Sequence, residues 1–310
     1  MSHIKSFESS MGAQNVLRVH LIYDTTHAIL VDTGMRGHEY LVEEALNFLY
    51  ARQMSLKWIV NTHAHHDHIG LNSWVLSRTQ ARIVSHPWGR RWIADPEINY
   101  REFVLGYPAL IPDSRALRKE IYETMGEGAY LDVGVVGGEH FYLGERTDVE
   151  IIDTSGHVAG EIGLLVTDDR TLIVGDALVG LTLPIFHGYV DPWRYRQTLR
   201  KIRRLVTTGR VRRVLTSHLP PLDNPADILQ AIAQRLNEVD EIQHLVLQRI
   251  RDQPATLREV WLFVSQAKNK APEFRGLAMV ASHIGHLQEQ GRITVENERY
   301  RLSTGTGATP

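Results

Sequence analysis

One stretch of this sequence constrains its fold and chemistry more than any other. Residues 61–70 read Asn-Thr-His-Ala-His-His-Asp-His-Ile-Gly. They follow an apolar run at residues 56–60, which predicts a buried strand, and they precede a helix-like segment at residues 71–78. Because α/β sheets place their chemistry at the ends of strands, we expect a functional site where this strand ends.

The spacing within this stretch predicts two metal ions side by side. His63 and His65 lie two positions apart, so an extended or turning backbone points both imidazoles to one side. Asp67 and His68 follow after the chain has begun to turn, and they face a different point in space. A His-rich surface tag is the alternative interpretation, but a tag would neither carry an interleaved Asp nor follow an apolar strand.

Composition narrows the choice of donor atoms. The 310 residues include no cysteine, so disulfides and thiolate ligands are excluded and any metal must be held by His and carboxylate. The chain is long enough for one large domain and a small one, and its 43% hydrophobic and 23% charged residues are typical of soluble globular proteins. A formal net charge of −2 argues against a mainly electrostatic nucleic-acid binder.

The sequence gives no sign of a membrane or secretory protein. Its first residues lack the apolar core of a signal peptide. It also lacks a run of about 18 apolar residues, the length that a membrane span requires. We therefore expect a cytoplasmic protein.

Further candidate ligands follow other predicted strands. Asp32 ends the second strand of a hairpin predicted over residues 16–32. Three more follow apolar strands at residues 149–152, 172–174 and 211–215, namely His157, Asp176 and His218. Any one of them alone is explained as a turn residue with satisfied hydrogen bonds. Ligand-type residues at so many strand ends of one chain indicate a single shared site.

Taken in order, these pieces resemble the metallo-β-lactamase fold superfamily. The resemblance is carried by Asp32 in Val-Asp-Thr-Gly, the His-x-His-x-Asp-His loop at 63–68, His157 in Ser-Gly-His, Asp176 in Gly-Asp-Ala and His218 in Ser-His. It covers roughly residues 12–222. It implies an α/β fold, a four-layer αββα sandwich in which the strand-end loops meet at one edge.

The resemblance also implies a ligand set for two ions. The first ion would be held by His63, His65 and His157, the second by Asp67, His68 and His218, with Asp176 as the bridge between them. Asp32 resembles the family's structural acid behind the site and is not counted as a ligand. Imidazole and carboxylate donors suit zinc and also permit iron or manganese, so we expect two zinc ions.

The implied activity is hydrolysis. Two ions about 3.5–4 Å apart share a bridging water, lower its pKa and stabilise the oxyanion formed on attack, while Asp67 would orient the nucleophile as the catalytic residue. The cysteine-containing antibiotic-degrading members use a thiolate ligand, so β-lactamase activity is not favoured. The full second-ion set looks more like glyoxalase II, the lactonases and the RNA-processing branch.

These likenesses leave several functions open. The favoured one is hydrolysis of a small-molecule ester, thioester or lactone, and the alternative is a metal-dependent endoribonuclease or phosphodiesterase. A redox or non-hydrolytic member with iron is a weaker possibility, and a pure binding role is the least favoured.

Two segments are predicted to shape the substrate pocket. Residues 88–137 carry their own aromatic side chains between two strands, which is typical of a lid or pocket wall; a small helical cap with its own core is the alternative. The apolar loop at residues 181–193 directly follows Asp176. We expect it to line the pocket, with His187 and Tyr189 as candidate substrate contacts.

The chain is predicted to divide near Pro225 into a catalytic domain, residues 1–225, and a C-terminal domain, residues 226–310. Helical stripes at 227–252, 256–264 and 273–290 and a hairpin at 292–302 resemble the winged-helix domain appended to a branch of the superfamily. Its third helix carries only modest positive charge. We therefore favour packing that completes the pocket, or a homodimer contact, over nucleic-acid binding.

A basic cluster between residues 194 and 213 is the one feature that favours a nucleic-acid partner. Its charges spread around a helix rather than along one stripe, which is typical of a solvated face. A track for backbone phosphates is the alternative. The expected partner is thus a small-molecule substrate, with nucleic acid less favoured.

Overall fold

The computed structural model describes residues 3–12, 15–144 and 147–303. Its first sheet has the strand order β1-β2-β3-β4-β5-β6. The strands are β1 (His3–Gly12), β2 (Asn15–Tyr23), β3 (His27–Val31), β4 (Ser55–Val60), β5 (Arg82–Ser85) and β6 (Val133–Gly134). The strands β1 to β3 form an antiparallel meander, and β3 to β6 run parallel. The predicted hairpin is β2 and β3, and the predicted central strand is β4.

A second sheet has the strand order β11-β10-β9-β8-β7. Its strands are β7 (His140–Leu143), β8 (Thr147–Asp153), β9 (Ile162–Val166), β10 (Thr171–Ile173) and β11 (Arg213–Leu215). The pair β10 and β11 is parallel, and the other neighbours are antiparallel.

Strand direction explains why distant residues meet. In the first sheet β3 and β4 run the same way. In the second sheet β8, β10 and β11 share one direction, because β8 and β10 are both antiparallel to β9. The loops after these five strands carry the predicted site residues. Within each sheet they therefore leave from the same edge.

Along the chain, helices lie between strands of both sheets and after the second sheet. They are α1 (Glu39–Tyr50), α2 (His66–Ile69), α3 (Asn72–Leu76), α4 (Arg90–Ala94), α5 (Pro96–Asn99), α6 (Arg115–Thr124), α7 (Pro192–Thr207), α8 (Pro225–Asp252), α9 (Leu257–Ala267) and α10 (Phe274–Glu289). With a 3₁₀ turn at Pro87–Gly89 and a π turn at Tyr100–Val104, the helices α4 to α6 form most of the predicted insert, which also contains β6 near its end. Among the described helices, none combines the length and the apolarity needed to cross a bilayer.

Three apolar clusters define four layers. Buried side chains of both sheets, such as Ile29 and Leu164, form the cluster between the sheets. The outer face of the first sheet packs on α1 through residues such as Leu41. The outer face of the second sheet packs on α7 and the C-terminal helices through residues such as Ile202 and Ile242. The predicted αββα sandwich is confirmed.

The C-terminal segment contains the three helices and the hairpin that the sequence predicted. The hairpin is formed by β12 (Ile293–Glu296) and β13 (Arg299–Leu302). One continuous apolar cluster joins this segment to α7 and the second sheet, so the segment packs on the catalytic part of the chain. The winged-helix likeness and the boundary near Pro225 stay predictions.

Strand β1 was not predicted from the sequence. Its ten residues include few large apolar side chains, so local hydrophobic periodicity does not reveal it. The strand forms because β2 offers a free edge, along which β1 pairs from His3 opposite Tyr23 to Gly12 opposite Asn15. Pairing of this kind depends on the partner strand more than on the strand's own sequence.

Candidate metal centre

The ends of four strands bring the seven predicted ligands into one buried cluster. The turn after β4 carries His63 and His65, and the first turn of α2 carries Asp67 and His68. The ends of β8, β10 and β11 supply the other three, His157, Asp176 and His218. Six of the seven side chains are buried, and that of Asp67 is 14% exposed.

The first group converges through three imidazole nitrogens. His65 Nδ1 lies 3.0 Å from His63 Nε2 and 3.0 Å from His157 Nε2. One ligand atom from each of the three residues lies within 4.8 Å of the others. Nitrogen ligands of one zinc ion, each about 2.0–2.1 Å from it, are arranged at this kind of spacing.

The second group converges beside the first. His218 Nε2 lies 3.2 Å from Asp67 Oδ2, and His68 Nε2 lies 3.8 Å from the same oxygen. These three residues again meet within 4.8 Å. They supply two imidazoles and one carboxylate, a donor set suited to a divalent transition metal.

Asp176 lies between the two groups. Its Oδ2 atom is 3.5 Å from His157 Nε2 and 3.3 Å from His68 Nε2, while Oδ1 is 3.5 Å from His218 Nε2. One carboxylate thus reaches a member of each group, as a bridging ligand must. The structure therefore places all seven residues where the family resemblance requires them, and their role as ligands stays a prediction.

Hydrogen bonds on the side away from the cluster orient three of the imidazoles. His68 Nδ1 donates to Asp32 Oδ2 at 2.8 Å, and His157 Nδ1 donates to the Gly188 carbonyl at 2.8 Å. His218 Nδ1 donates to the Val16 carbonyl at 2.9 Å. Because each Nδ1 donates away from the cluster, Nε2 is the nitrogen of each ring that points into it.

Atoms left without partners show that the cluster fits metal ions. Within residues 3–12, 15–144 and 147–303, His68 Nε2, His218 Nε2 and Asp176 Oδ1 are buried and have no hydrogen-bond partner. A buried polar atom without a partner costs about 1–3 kcal/mol. Divalent cations coordinated at these atoms would satisfy them, so the residues present fit two ions.

Charge in the cluster has the sign that cations require. Burial lowers the pKa of His63 and His65 well below its usual value, and burial lowers the pKa of His157 to about 4, so these imidazoles are neutral. Burial opposes ionisation of Asp176, but the imidazoles of His218 and neighbouring histidines hold its pKa well below the usual range. Burial opposes protonation of His68 and His218 as well, but the charge of Asp176 raises the pKa of His218 and, with Asp32 and Asp67, raises the pKa of His68 well above its usual value, so these two imidazoles would release a proton on binding metal.

Asp32 occupies the position behind the site that the sequence analysis assigned to it. It is buried at the end of β3, with a φ of 58°. Asp is one of the few residue types that adopt this left-handed conformation. Its carboxylate accepts from the Thr62 amide and the Thr62 hydroxyl, both at 2.8 Å, and from His68 Nδ1. Asp32 thus holds both ends of the loop at residues 63–68, which we call the ligand loop.

Sequence reasoning missed a buried acid, Glu161. It is fully buried just before β9, and its Oε1 accepts from the Asp176 amide at 2.9 Å. Burial, together with the charge of Asp176, raises the pKa of Glu161 well above its usual value. The available signal was an acidic residue directly before an uninterrupted apolar strand, Ile162–Val166.

A motif glycine explains part of this close packing. Gly175 has a φ of +54°, and a Cβ there would lie 2.5 Å from Thr62 Oγ1. Glycine is therefore needed for β10 and the ligand loop to approach each other. This contact brings Asp176 up to the histidines of the other sheet.

A cavity of about 230 Å³ opens on the cluster. Its walls come from β1, the loops after β3 and β8, the ligand loop, the insert, the loop after Asp176 and α10. The lining residues are Met11, Met35, His65, His66, Asp67, Phe103, Glu120, Thr124, His157, Ile185, His187, Tyr189, Val190 and Arg275. The insert at residues 88–137 thus contributes side chains to the cavity wall, and its role as a lid stays a prediction. Its selectivity role stays a prediction.

The insert also holds the ligand loop in place. Asn99 is buried, and its Nδ2 donates to the Ala64 carbonyl at 2.7 Å. The Phe103 ring stacks on His65, with 4.0 Å between ring centroids and 24° between planes. A backbone hydrogen bond and an aromatic stack therefore restrict the region between His63 and His65.

Both candidate pocket residues of the post-Asp176 loop lie at the cavity. His187 is closer to the cluster than the sequence indicated, because its Nε2 donates to Asp176 Oδ2 at 2.5 Å and its ring stacks on His157. It forms a further group of metal-binding type with His157 and Asp176. The Tyr189 hydroxyl pairs with His283 Nε2 at 2.9 Å. Contact of either residue with substrate stays a prediction.

The C-terminal segment fixes this loop from behind. Arg235 is buried, and its Nη1 donates to the Val179 carbonyl at 3.0 Å, while Glu238 Oε2 accepts from the Leu181 amide at 3.0 Å. Lys270 Nζ donates to the Ile185 carbonyl at 3.1 Å. These contacts, with the Tyr189–His283 pair, connect α8, α10 and the segment between α9 and α10 to the cavity wall.

Comparison with known proteins agrees with this geometry. The sequence profile of the metallo-beta-lactamase superfamily matches residues 16–218. The probable metallo-hydrolase YflN of Bacillus subtilis (strain 168) is 25% identical over 187 residues, 56% of this chain and 66% of that protein. A hydroxyacylglutathione hydrolase of Methylococcus capsulatus is 26% identical over 159 residues, 51% of this chain and 48% of that protein. The chain spans less than two thirds of the length of these relatives.

Solved structures extend the likeness to the C-terminal segment. A metallo-beta-lactamase family protein from Thermus thermophilus superposes with a TM-score of 0.74 at 20% identity, covering 97% of this chain and 98% of that one. A beta-lactamase domain protein from Burkholderia ambifaria gives a TM-score of 0.68 at 16% identity, covering 97% and 91%. At these identities the likeness shows the fold. The profile match, which covers most of the chain, establishes that this protein belongs to the metallo-beta-lactamase superfamily.

Proposed function

We propose that this protein is a dinuclear metal-dependent hydrolase that cleaves an ester, thioester or lactone of a small molecule. The observation that carries the proposal is the contact between cluster and cavity. His65, Asp67 and His157 belong to the ligand set and also line the cavity. A carbonyl bound in the cavity would therefore lie beside residues of both predicted ligand groups.

Zinc is the proposed metal. The donors are imidazole nitrogens and carboxylate oxygens, which suit zinc and also accommodate iron or manganese. When bound, the two ions would polarise the scissile carbonyl and lower the pKa of a coordinated water.

The protein's own groups position the reactants. Asp67 is the ligand-set carboxylate that reaches the cavity, where it would accept a hydrogen bond from the attacking water and fix its direction. Hydrolysis adds water across the acyl bond, so the C–O or C–S bond breaks and the leaving group takes up a proton. His187, which lies at the cavity and against Asp176, would face the acyl group.

The size and lining of the cavity favour a small substrate. Its volume of about 230 Å³ is below the roughly 300–1,000 Å³ of pockets that enclose drug-sized ligands. Apolar side chains such as Phe103, Ile185 and Val190 contribute to its walls. A polynucleotide would need an open basic groove instead.

Ion pairs weaken the nuclease alternative further. Several residues of the basic cluster between 194 and 213 already pair with carboxylates: Arg194 with Asp191, Arg196 with Asp240, Lys201 with Asp153, Arg210 with Glu150, and Arg213 with Asp223. These carboxylates offset part of the positive charge of the basic residues. The basic cluster between residues 194 and 213 is therefore better explained as a solvated face than as a track for backbone phosphates.

Turnover on parallel substrate panels tests the proposal. Metal-loaded protein is assayed on acyl thioesters, lactones and aryl esters, and separately on single-stranded RNA, with chelator-treated protein as the blank. We expect metal-dependent hydrolysis of at least one carbonyl class and no RNA cleavage. Metal-dependent, salt-sensitive RNA cleavage without carbonyl hydrolysis would reverse the choice of substrate.

A further inference from the structure

We propose that Arg275 and His66 form an anion-binding subsite in the metal pocket, so that the substrate carries a carboxylate or phosphate in addition to the carbonyl that is cleaved. This inference rests on the proposed hydrolase function and narrows its substrate class. It assigns a recognition role to the C-terminal segment, whose helix α10 contributes Arg275 to the cavity.

Arg275 and His66 share one cavity with predicted metal ligands. Arg275 is the second residue of α10, and it lines the same cavity as the predicted ligands His65 and Asp67. His66 lies between those two ligands in the chain and lines the cavity as well. A substrate whose carbonyl meets the cluster therefore lies within the same small cavity as a fixed positive charge.

Arg275 is held ready for an anion. Its guanidinium lies over the Phe274 ring, 4.2 Å from the ring centroid, and its side chain is 19% exposed. Its ion pair uses one nitrogen, Nη1, which is 2.8 Å from Glu273 Oε2. A guanidinium has five N–H donors in a rigid fork that matches carboxylate and phosphate oxygens, so an ordered Arg loses little freedom when it binds one.

Arg275 is the cavity residue suited to bind an anion, as the other charged residues of the lining show. Apart from the predicted ligands and the histidines, Glu120 is the other charged residue among the lining residues, and it lies on an exposed part of α6. His66 adds a polar atom: among the described residues its buried Nδ1 has no hydrogen-bond partner. A buried polar atom of this kind is normally satisfied, and in the tautomer with the proton on Nδ1 it would donate to an oxygen of a bound anion.

The other lining residues indicate the polarity of the middle part of the substrate. Side chains such as Met35, Phe103, Ile185 and Val190 present apolar surface. An apolar chain between the metal-facing carbonyl and the Arg275-facing anion fits this division. Two substrate types have this shape: an acyl group with a terminal carboxylate, and a leaving group with a terminal carboxylate or phosphate.

Matched substrate pairs distinguish these types. The first pair is the hexanoyl and glutaryl thioesters of N-acetylcysteamine, which have similar length and differ in the terminal carboxylate. The second pair is the acetyl thioesters of pantetheine and 4′-phosphopantetheine, which differ in a phosphate on the leaving group. The values of kcat/KM are compared for wild type, Arg275→Gln and a control, Arg301→Gln, which removes an exposed ion-paired arginine from the same segment.

We expect wild type to prefer the anionic member of one pair. Arg275→Gln should lower kcat/KM for that member by about 10- to 100-fold, the range expected for a hydrogen bond to a charged group, and change the neutral member about twofold or less. Arg301→Gln should leave both values unchanged. Equal losses on both members in Arg275→Gln, or a wild-type preference for the neutral members of both pairs, would overturn the subsite.

A binding measurement tests the subsite independently of the proposed hydrolase activity. If no thioester, ester or lactone is cleaved, the subsite is judged by calorimetric binding of glutarate and inorganic phosphate to metal-loaded protein. Binding at least tenfold weaker in Arg275→Gln than in wild type would uphold the subsite without the hydrolase. Equal binding by the two proteins would reject it.

Discussion

Replacing Asp67 by alanine should abolish hydrolysis while the fold persists. We expect kcat/KM to fall by about 10²–10⁴-fold, the range for losing a positioned acid–base group, with an added loss from the weakened second ion. Asp67 combines two roles in the structure, because it lies 3.2 Å from His218 Nε2 in the second group and also lines the cavity. Turnover and bound metal per chain, measured on the same preparations, test the expectation.

A second variant separates charge from shape at this position. Asp67→Asn keeps the size of the side chain and removes its charge, so it should resemble Asp67→Ala in turnover if the carboxylate itself acts. Asp240→Ala is the control, since Asp240 is an exposed carboxylate paired with Arg196. Full activity in Asp67→Ala with normal metal content would contradict the assignment of Asp67.

Replacing Asp32 should weaken metal binding without touching a metal ligand. The carboxylate of Asp32 accepts hydrogen bonds from Thr62 and from His68 Nδ1, and so it sets the direction in which His68 Nε2 points. Removing such a partner behind a ligand typically costs 10- to 100-fold in metal affinity or activity. We expect this loss at the second ion in Asp32→Asn, measured by competition with a chromophoric chelator.

The two Asp32 variants should differ in stability. Asparagine tolerates the φ of 58° at this position and keeps one oxygen for Thr62, so the free energy of unfolding should change by roughly 1 kcal/mol. Alanine leaves buried donors unpaired and is strained at this φ, which together should cost roughly 3 kcal/mol or more. Urea denaturation of metal-free protein measures both. Wild-type affinity for both ions in Asp32→Asn would show that Asp32 does not orient His68.

Local patterns predicted the parts of the fold that depend on local sequence. Apolar runs followed by His or Asp located the ends of β4, β8, β10 and β11, because a buried strand and its exit are encoded within a few residues. The helical stripes of the C-terminal segment were found for the same reason. The grouping of the ligands came from the family resemblance, and the structure places those residues accordingly.

What the sequence did not reveal depends on contacts between distant residues. The strand β1 needs β2 as its partner, and Glu161 reaches the site only through the amide of Asp176. Arg275 lies more than two hundred residues after His66, yet both line one cavity. Contacts between such distant residues depend on how the layers of the fold pack together. The hydrophobic periodicity of a single segment does not encode that packing.

The most direct test of the dinuclear hydrolase is a zinc titration of metal-free protein. Bound zinc per chain and turnover of the best carbonyl substrate from the panels are followed in the same samples. We predict that binding saturates at two ions and that full activity requires the second. Saturation at a single ion with full activity, or activity that persists without metal, would contradict the dinuclear mechanism.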